Sequence, residues 1–263
     1  MCIRDSLNVS LTANADKVEY NGLNLNKLSG KVGITKGALF LENTTFNIID
    51  CIVGINAGYK DETPTTAHFD AHFNAKDFSV QRAYKEIPMF HDMVTAAEKA
   101  QGIISVDYKI KGDLNGNMGP IYESLEGGGI INLRDVKIKG LKLFEGVSSQ
   151  TGQKGLDDPK MEGIEIKSNI DNNLIHIEPF TFSVASFKPT IKGTTSFDGL
   201  LDLRMRLGLP PGGIIGFPIV ITGTHEDPKI KIFSKTGQKI YDAVYDEKNN
   251  KVIKKEKVSK KKT

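Results

Sequence analysis

Leu200-Leu201-Asp202-Leu203-Arg204-Met205-Arg206-Leu207-Gly208-Leu209 is the stretch on which the reading of this chain turns. Leu201, Leu203, Met205, Leu207 and Leu209 alternate with Asp202, Arg204, Arg206 and Gly208. Successive side chains of a strand point to opposite faces, so the stretch predicts a half-buried strand with one apolar and one polar row. Two further runs read the same way. Ile104, Val106, Tyr108 and Ile110 alternate with Ser105, Asp107, Lys109 and Lys111; Phe69, Ala71, Phe73 and Ala75 alternate with His68, Asp70, His72 and Asn74. Leu201, Leu203, Met205, Leu207, Leu209, Ile104, Val106, Ile110, Phe69 and Phe73 are therefore the residues expected to line a core or an apolar groove.

Turn chemistry separates these runs. Asp171-Asn172-Asn173 stands between Ile164–Ile170 and Leu174–Phe182, and Asp198-Gly199 between Thr190–Phe197 and Leu200–Leu209; Asn115-Gly116 closes another run. Asp-Gly favours a type I′ hairpin. Strands joined by tight turns form an antiparallel meander rather than parallel βαβ units. The alternation slips between Ile131/Leu133 and Val136/Ile138, and again at Gly140 before Leu141 and Leu143, which predicts a bulge or bend. Gly127-Gly128-Gly129 just upstream predicts a sharp turn. Gly30, Gly112, Gly140 and Gly193 each sit beside a lysine in similar settings, a cadence of loosely repeated strand units without a fixed period.

Val80, Ala83, Tyr84 and Ile87 fall at helical spacing behind Ser79, a capping residue, and Pro88 should end that helix. A second short helix is expected through Phe90, Val94 and Ala97, with Gly102 near its end, and a third over Lys239–Tyr245. The expected organisation is thus a β-rich region over 7–235 with a helical insertion near 79–100, a short helix within 236–247, and a basic disordered tail over 248–263. Residues 1–6, MCIRDS, read as translated sequencing-adaptor sequence, so the chain is expected to be a piece that starts inside a strand. The fold class is mainly β: an antiparallel meandering sheet forming an elongated groove or open half-barrel, with one or two short helices.

The net charge of +3 conceals two unlike parts. From Lys248 to Thr263 there are eight lysines against Glu256 alone, a charge of +7; the other 247 residues, with 27 basic and 31 acidic side chains, carry −4. The body is mildly acidic and offers no basic groove, so no nucleic-acid partner is expected. Two cysteines, Cys2 and Cys51, rule out a disulfide framework or a four-thiolate zinc site. No run approaches the roughly 18–20 apolar residues of a membrane helix.

His68, Asp70 and His72 share one strand face and carry the ligand types of a zinc site, but neighbouring side chains on that face stand about 6–7 Å apart and no fourth ligand is evident. A solvated polar face is the simpler expectation, and no metal or other cofactor is assigned. G-x-S-x-G, H-E-x-x-H and phosphate-loop patterns are absent, His91-Asp92 reads as a surface pair, and no carboxylate pair stands out. The chain is therefore expected to be no enzyme. Leu209-Pro210-Pro211-Gly212-Gly213-Ile214-Ile215-Gly216-Phe217-Pro218-Ile219 is expected to be a long connection packed on the core, the alternative being an apolar lip at a membrane or partner surface.

Several short pieces, in order, resemble one family. They are Phe78-Ser79-Val80-Gln81-Arg82-Ala83-Tyr84, Gly102-Ile103-Ile104-Ser105, Lys111-Gly112-Asp113-Leu114, Met118-Gly119-Pro120, Ser124-Leu125-Glu126-Gly127-Gly128-Gly129, and the closing Ile221-Thr222-Gly223-Thr224-His225-Glu226-Asp227-Pro228-Lys229-Ile230. Spread over roughly residues 25–235, they resemble the C-terminal region of AsmA-family proteins of the Bacteroidetes type, relatives of the TamB-like bridge proteins. The resemblance implies a periplasmic body, anchored to the inner membrane by a segment missing here, that binds or guides phospholipid between membranes in outer-membrane biogenesis along an apolar β groove. It implies no catalytic residue. A scaffolding β domain without ligand and an adhesin-like β-sandwich are the alternatives.

Overall fold

The computed structural model of the chain describes residues 8–20, 22–87, 100–138, 145–146, 148–149, 160–161, 163–184, 186–232, 245–246 and 251–252. Among these, strands dominate. β1 (Asn8–Tyr20), β2 (Leu23–Thr35), β3 (Ala38–Ile48), β4 (Cys51–Thr63) and β5 (Thr66–Ser79) are followed by α1 (Val80–Glu86) and β6 (Ala100–Asn115). Then come β7 (Glu126–Ile138), β8 (Lys160–Met161), β9 (Ile164–Asp171), β10 (Leu174–Thr181), β11 (Lys188–Ser196), β12 (Leu200–Gly208), β13 (Gly216–Thr224) and β14 (Pro228–Ile232). All fourteen belong to one sheet whose order follows the chain from β1 to β14, with β8 the one strand off that path, paired to the end of β7. Every pairing is antiparallel, and the sheet is open, not closed into a barrel.

The turns follow from local chemistry. Lys36-Gly37, Ile49-Asp50 and Asn172-Asn173 each place two residues at positive φ between directly paired strand ends, the geometry of a type I′ hairpin. Ile49, at φ 48°, is the strained member, because a β-branched side chain fits the left-handed region poorly. At Asp198-Gly199 the expected type I′ turn is not formed. Gly199 alone has positive φ, and its N–H donates to the Ser196 carbonyl at 3.0 Å, which makes a turn followed by a left-handed glycine. The expected helix is present as α1, with the Ser79 hydroxyl accepting from the Arg82 N–H, and its buried face is Val80 and Ala83.

The phase slips in the sequence become bulges. Asp135, at φ 54°, is the extra residue where β7 opposes Gly102 of β6, as the slip between Leu133 and Val136 predicts. The same device recurs at Asn43 in β3 and Asp77 in β5, both in the left-handed region, and between Ile177 and Phe180 in β10. Each bulge returns the next apolar residue to the face its strand had been using. Without it, Thr44, Phe78, Val136 and Phe180 would exchange faces with their neighbours.

Gly127-Gly128-Gly129 is not a turn: all three lie in the first part of β7, paired on both sides. Their role is the absence of a side chain. A Cβ at Gly129 would stand 2.2 Å from the Asp107 carbonyl oxygen and 2.5 Å from the Tyr108 ring. Tyr108 uses that space to reach across β7 and share a 2.9 Å hydrogen bond with the buried Ser168 hydroxyl on β9. Gly129→Ala is expected to lower unfolding free energy by roughly 1–3 kcal/mol, the usual cost of overpacking, read from urea midpoints. Gly116→Ala, whose methyl would meet nothing closer than 3.6 Å, is expected to be near neutral.

Candidate functional site

The antiparallel registers bring one apolar row per strand onto a single face. A continuous line runs Leu11–Val32–Leu41–Ala57–Ala71–Ile110–Gly127 and on through Ile170–Ile175–Thr195–Leu201–Gly223–Pro228, touching every strand on the main path. At about 4.8 Å between strands, that line is roughly 58 Å long measured over the curved surface. The opposite face carries Lys31, His72, Lys109, Glu126, Lys167 and Arg204 at alternating positions.

The two ends of the apolar face differ. Over β11–β14 it is a sealed core, with Met205, Leu207, Ile219 and Ile221 at 0% exposure. The connection between β10 and β11 folds over this end and contributes Phe182, Val184 and Phe187, while Val136 and Ile164 close in from β7 and β9. Over β1–β4 most apolar side chains stay half-buried, and Val9, Leu11 and Leu39 are exposed at 41%, 62% and 43%. Among the described elements, each of β1–β4 packs substantially only on its neighbours in the sheet, so that end of the face is uncovered. A smaller core of Tyr108, Leu125 and Ile170 lies between the two ends.

The ten expected lining residues divide along this gradient. Leu203, Met205 and Leu207 are interior to the sealed core, with Ile104, Leu201 and Leu209 packed against it. Phe69, Phe73, Val106 and Ile110 pack around the middle cluster. None belongs to β1–β4, where the face is open; there the alternations Val9/Leu11, Leu39/Leu41 and Ile55/Ala57/Tyr59 were the legible signal.

On the polar face His68 and His72 do not converge. The Nδ1 of His68 lies 2.9 Å from Asp113 and the Nε2 of His72 2.7 Å from Asp107, so each imidazole is paired with its own carboxylate on β6. No group of three or more metal-ligand types forms among the described residues. Lys31–Glu42 and Lys111–Glu126 bridge neighbouring strands in the same manner, and such exposed pairs each add little stability. A polar cavity of about 480 Å³ opens beside α1, lined by Asn24, Asn26, Asn47, Asp50 and Arg82 among others. The guanidinium there is already taken up by Asp50 and Glu86, which raise its pKa.

Of the expected Leu209–Ile219 connection, Leu209 and Phe217 pack against the core and Ile219 is buried in β13, but the tip between them does not pack inward. Ile214 and Ile215 are 85% and 73% exposed. The expected helix through Phe90–Ala97 lies outside the described residues, as do 239–244 of the third; Tyr245 itself is in a two-residue strand, β15 (Tyr245–Asp246). Of the expected disordered tail, Lys251–Val252 is described, and it forms a strand, β16, paired with β15. No described helix is long and apolar enough to cross a membrane.

No protein-family model matches the chain, and no curated protein or solved structure matches it.

Tyr108 is 7% exposed, and burial raises its pKa above the ordinary 10.0, the Ser168 hydrogen bond drawing it part of the way back. A raised folded-state pKa gives stability that is complete below the unfolded value and lost as pH climbs through the folded one. Unfolding free energy is therefore expected to fall more steeply above pH 10 for the wild type than for Tyr108→Phe, measured by urea denaturation. Equal slopes would mean that the phenol is not shielded from water.

Proposed function

We propose that this chain is an AsmA-like envelope protein of the periplasm, held at the inner membrane, whose open apolar face shelters phospholipid acyl chains and guides them between membranes during outer-membrane biogenesis. The observation that carries this reading is the half-buried apolar surface of β1–β4, which no described element covers and which is continuous with the rest of the sheet. Soluble proteins rarely leave a contiguous apolar surface of that extent without a ligand or partner for it. Each buried CH₂ is worth about 0.8 kcal/mol, so a face sheltering two acyl chains offsets much of the cost of drawing a lipid from a bilayer. The process needs no catalytic residue: lipid slides along a surface of low chemical specificity, and no covalent bond changes. The ordered resemblance of the sequence pieces to AsmA proteins supports the same reading.

The sealed core at β11–β14 favours a second reading for that end, a structural terminus that stops the face and anchors the sheet. The thirteen strands of the main path lie in one sheet, whereas an adhesin-like sandwich needs two facing sheets.

The chain purified from bacteria without detergent is expected to carry phospholipid in native mass spectra. Leu11→Asp and Leu39→Asp, at exposed positions of the open end, are expected to abolish that lipid while leaving far-ultraviolet circular dichroism unchanged. A folded, lipid-free wild-type chain would favour a scaffold instead. Met205→Asp, by contrast, places a carboxylate at 0% exposure and is expected to destabilise the fold by at least about 3 kcal/mol, whatever the ligand.

A further inference from the structure

The loop between β12 and β13 combines three features that no role in the sheet requires. Its tip is apolar and exposed: Ile214 and Ile215 stand at 85% and 73% exposure, beside the exposed Pro210, Pro211 and Gly212. Its backbone is nonetheless held. The Leu209 N–H donates to the Ile215 carbonyl at 2.6 Å and the Gly213 N–H to the Leu209 carbonyl at 2.9 Å. Arg206 reaches up from β12, its Nη1 donating to the Gly213 carbonyl at 2.9 Å and its Nη2 to the Ile214 carbonyl at 2.7 Å.

Those four bonds matter because a peptide carbonyl moved away from water must find a donor elsewhere. Here the carbonyls of Leu209, Gly213, Ile214 and Ile215 already have one, and Pro210 and Pro211 have no N–H to satisfy. The tip can therefore enter an apolar medium with these four carbonyls already paired.

Charge supplies the third feature. The sequence contains no Asp or Glu from Pro179 to Thr195, from Leu203 to Thr224, or from Pro228 to Ile232. Lys188 lies alongside Gly213 at the tip and Arg206 two residues from that end of β12, while Lys231 stands further down the sheet, level with Val220. At the other ends of these strands stand Asp198, Asp202, Glu226 and Asp227. This part of the sheet is thus polarised along its strands, basic at the apolar tip and acidic away from it.

We propose that this loop is a membrane-contacting tip. Ile214 and Ile215 insert among the acyl chains at the surface of an anionic bilayer, and Lys188 and Arg206 face its phosphate headgroups. An apolar point flanked by Lys188 and Arg206, on strand ends whose sequence carries no Asp or Glu, matches the interface of such a membrane. The assignment is independent of the groove: a tip can dock whether or not the apolar face carries lipid.

The chain has no tryptophan, so Ile214→Trp in the full 263-residue chain creates a sole fluorophore at the tip. With vesicles of phosphatidylcholine and phosphatidylglycerol, its emission is expected to shift to the blue and to be quenched by bromine carried on the lipid acyl chains. The double variant Ile214→Asp, Ile215→Asp is expected to stay folded and to lose vesicle partitioning by roughly a hundredfold, about tenfold for each isoleucine no longer buried. Emission that stays that of a water-exposed indole overturns the proposal, even if the chain sediments with vesicles, because binding would then run through the lysines of residues 248–263. Unchanged partitioning of the double variant overturns it equally, and leaves the tip to a protein partner.

Discussion

Side-chain alternation in the thirteen strands of the main path has to stay in phase for this molecule to exist as it does. Each strand turns its apolar row to the same side of one sheet, and a single-residue error in any register would put that strand's apolar row into water. The bulges at Asn43, Asp77, Asp135 and between Ile177 and Phe180 preserve the phase, each absorbing one residue where the sequence slips. They also increase local twist and bend their strands, so the same residues that keep the face continuous help to curve it. The glycines on that face have a matching task. Gly112 leaves room for Leu125, and Gly129 for Tyr108, whose bond to Ser168 ties β6 to β9 across an intervening strand.

A face of this kind must be covered by something, and the described residues cover only part of it. Over β11–β14 the cover is internal: the segment Phe182–Phe187 folds back and fills the space above Met205 and Ile219. Hairpin turns at the far end of these strands add a polar brace, the Asn173 amide donating to Asp198 at 3.1 Å and the His225 N–H to the Gly199 carbonyl at 3.0 Å. Over β1–β4 no described element does the same, and Leu11, Leu39 and Val9 remain in reach of solvent or ligand. Close packing is thus concentrated at one end and apolar accessibility at the other. That is the arrangement expected of a surface that must accept and release an acyl chain without losing its fold.

Alternation at Leu201–Leu209, Ile104–Ile110 and Phe69–Ala75 was enough to read the sheet, and Asp171-Asn172-Asn173 and Ser79 marked a hairpin and a helix start that the structure contains. These are local signals, set by a few neighbouring residues. What covers a face is not local. Nothing in Leu203-Arg204-Met205 states that Phe182 and Val184 lie above it, so core and groove residues look alike in sequence. The Gly127-Gly128-Gly129 run illustrates the same limit. Glycine permits a turn but is equally required where Tyr108 and the Asp107 carbonyl crowd a flat strand, and only the neighbouring strand decides between the two. The exposed Ile214-Ile215 pair was misplaced for a related reason: apolar residues in a loop are expected to pack inward unless the loop, as here, is propped outward by Arg206.

One apolar face runs through the sheet, sealed over β11–β14 and, in the proposed function, open to acyl chains over β1–β4. Photo-crosslinking with a phosphatidylglycerol that carries a diazirine in its acyl chain, followed by peptide mass spectrometry, tests it most directly. Adducts are expected on Leu11, Val32, Leu39 and their neighbours, with none on Met205 or Ile219. Adducts confined to the polar face, or as frequent on Met205 as on Leu39, would contradict it.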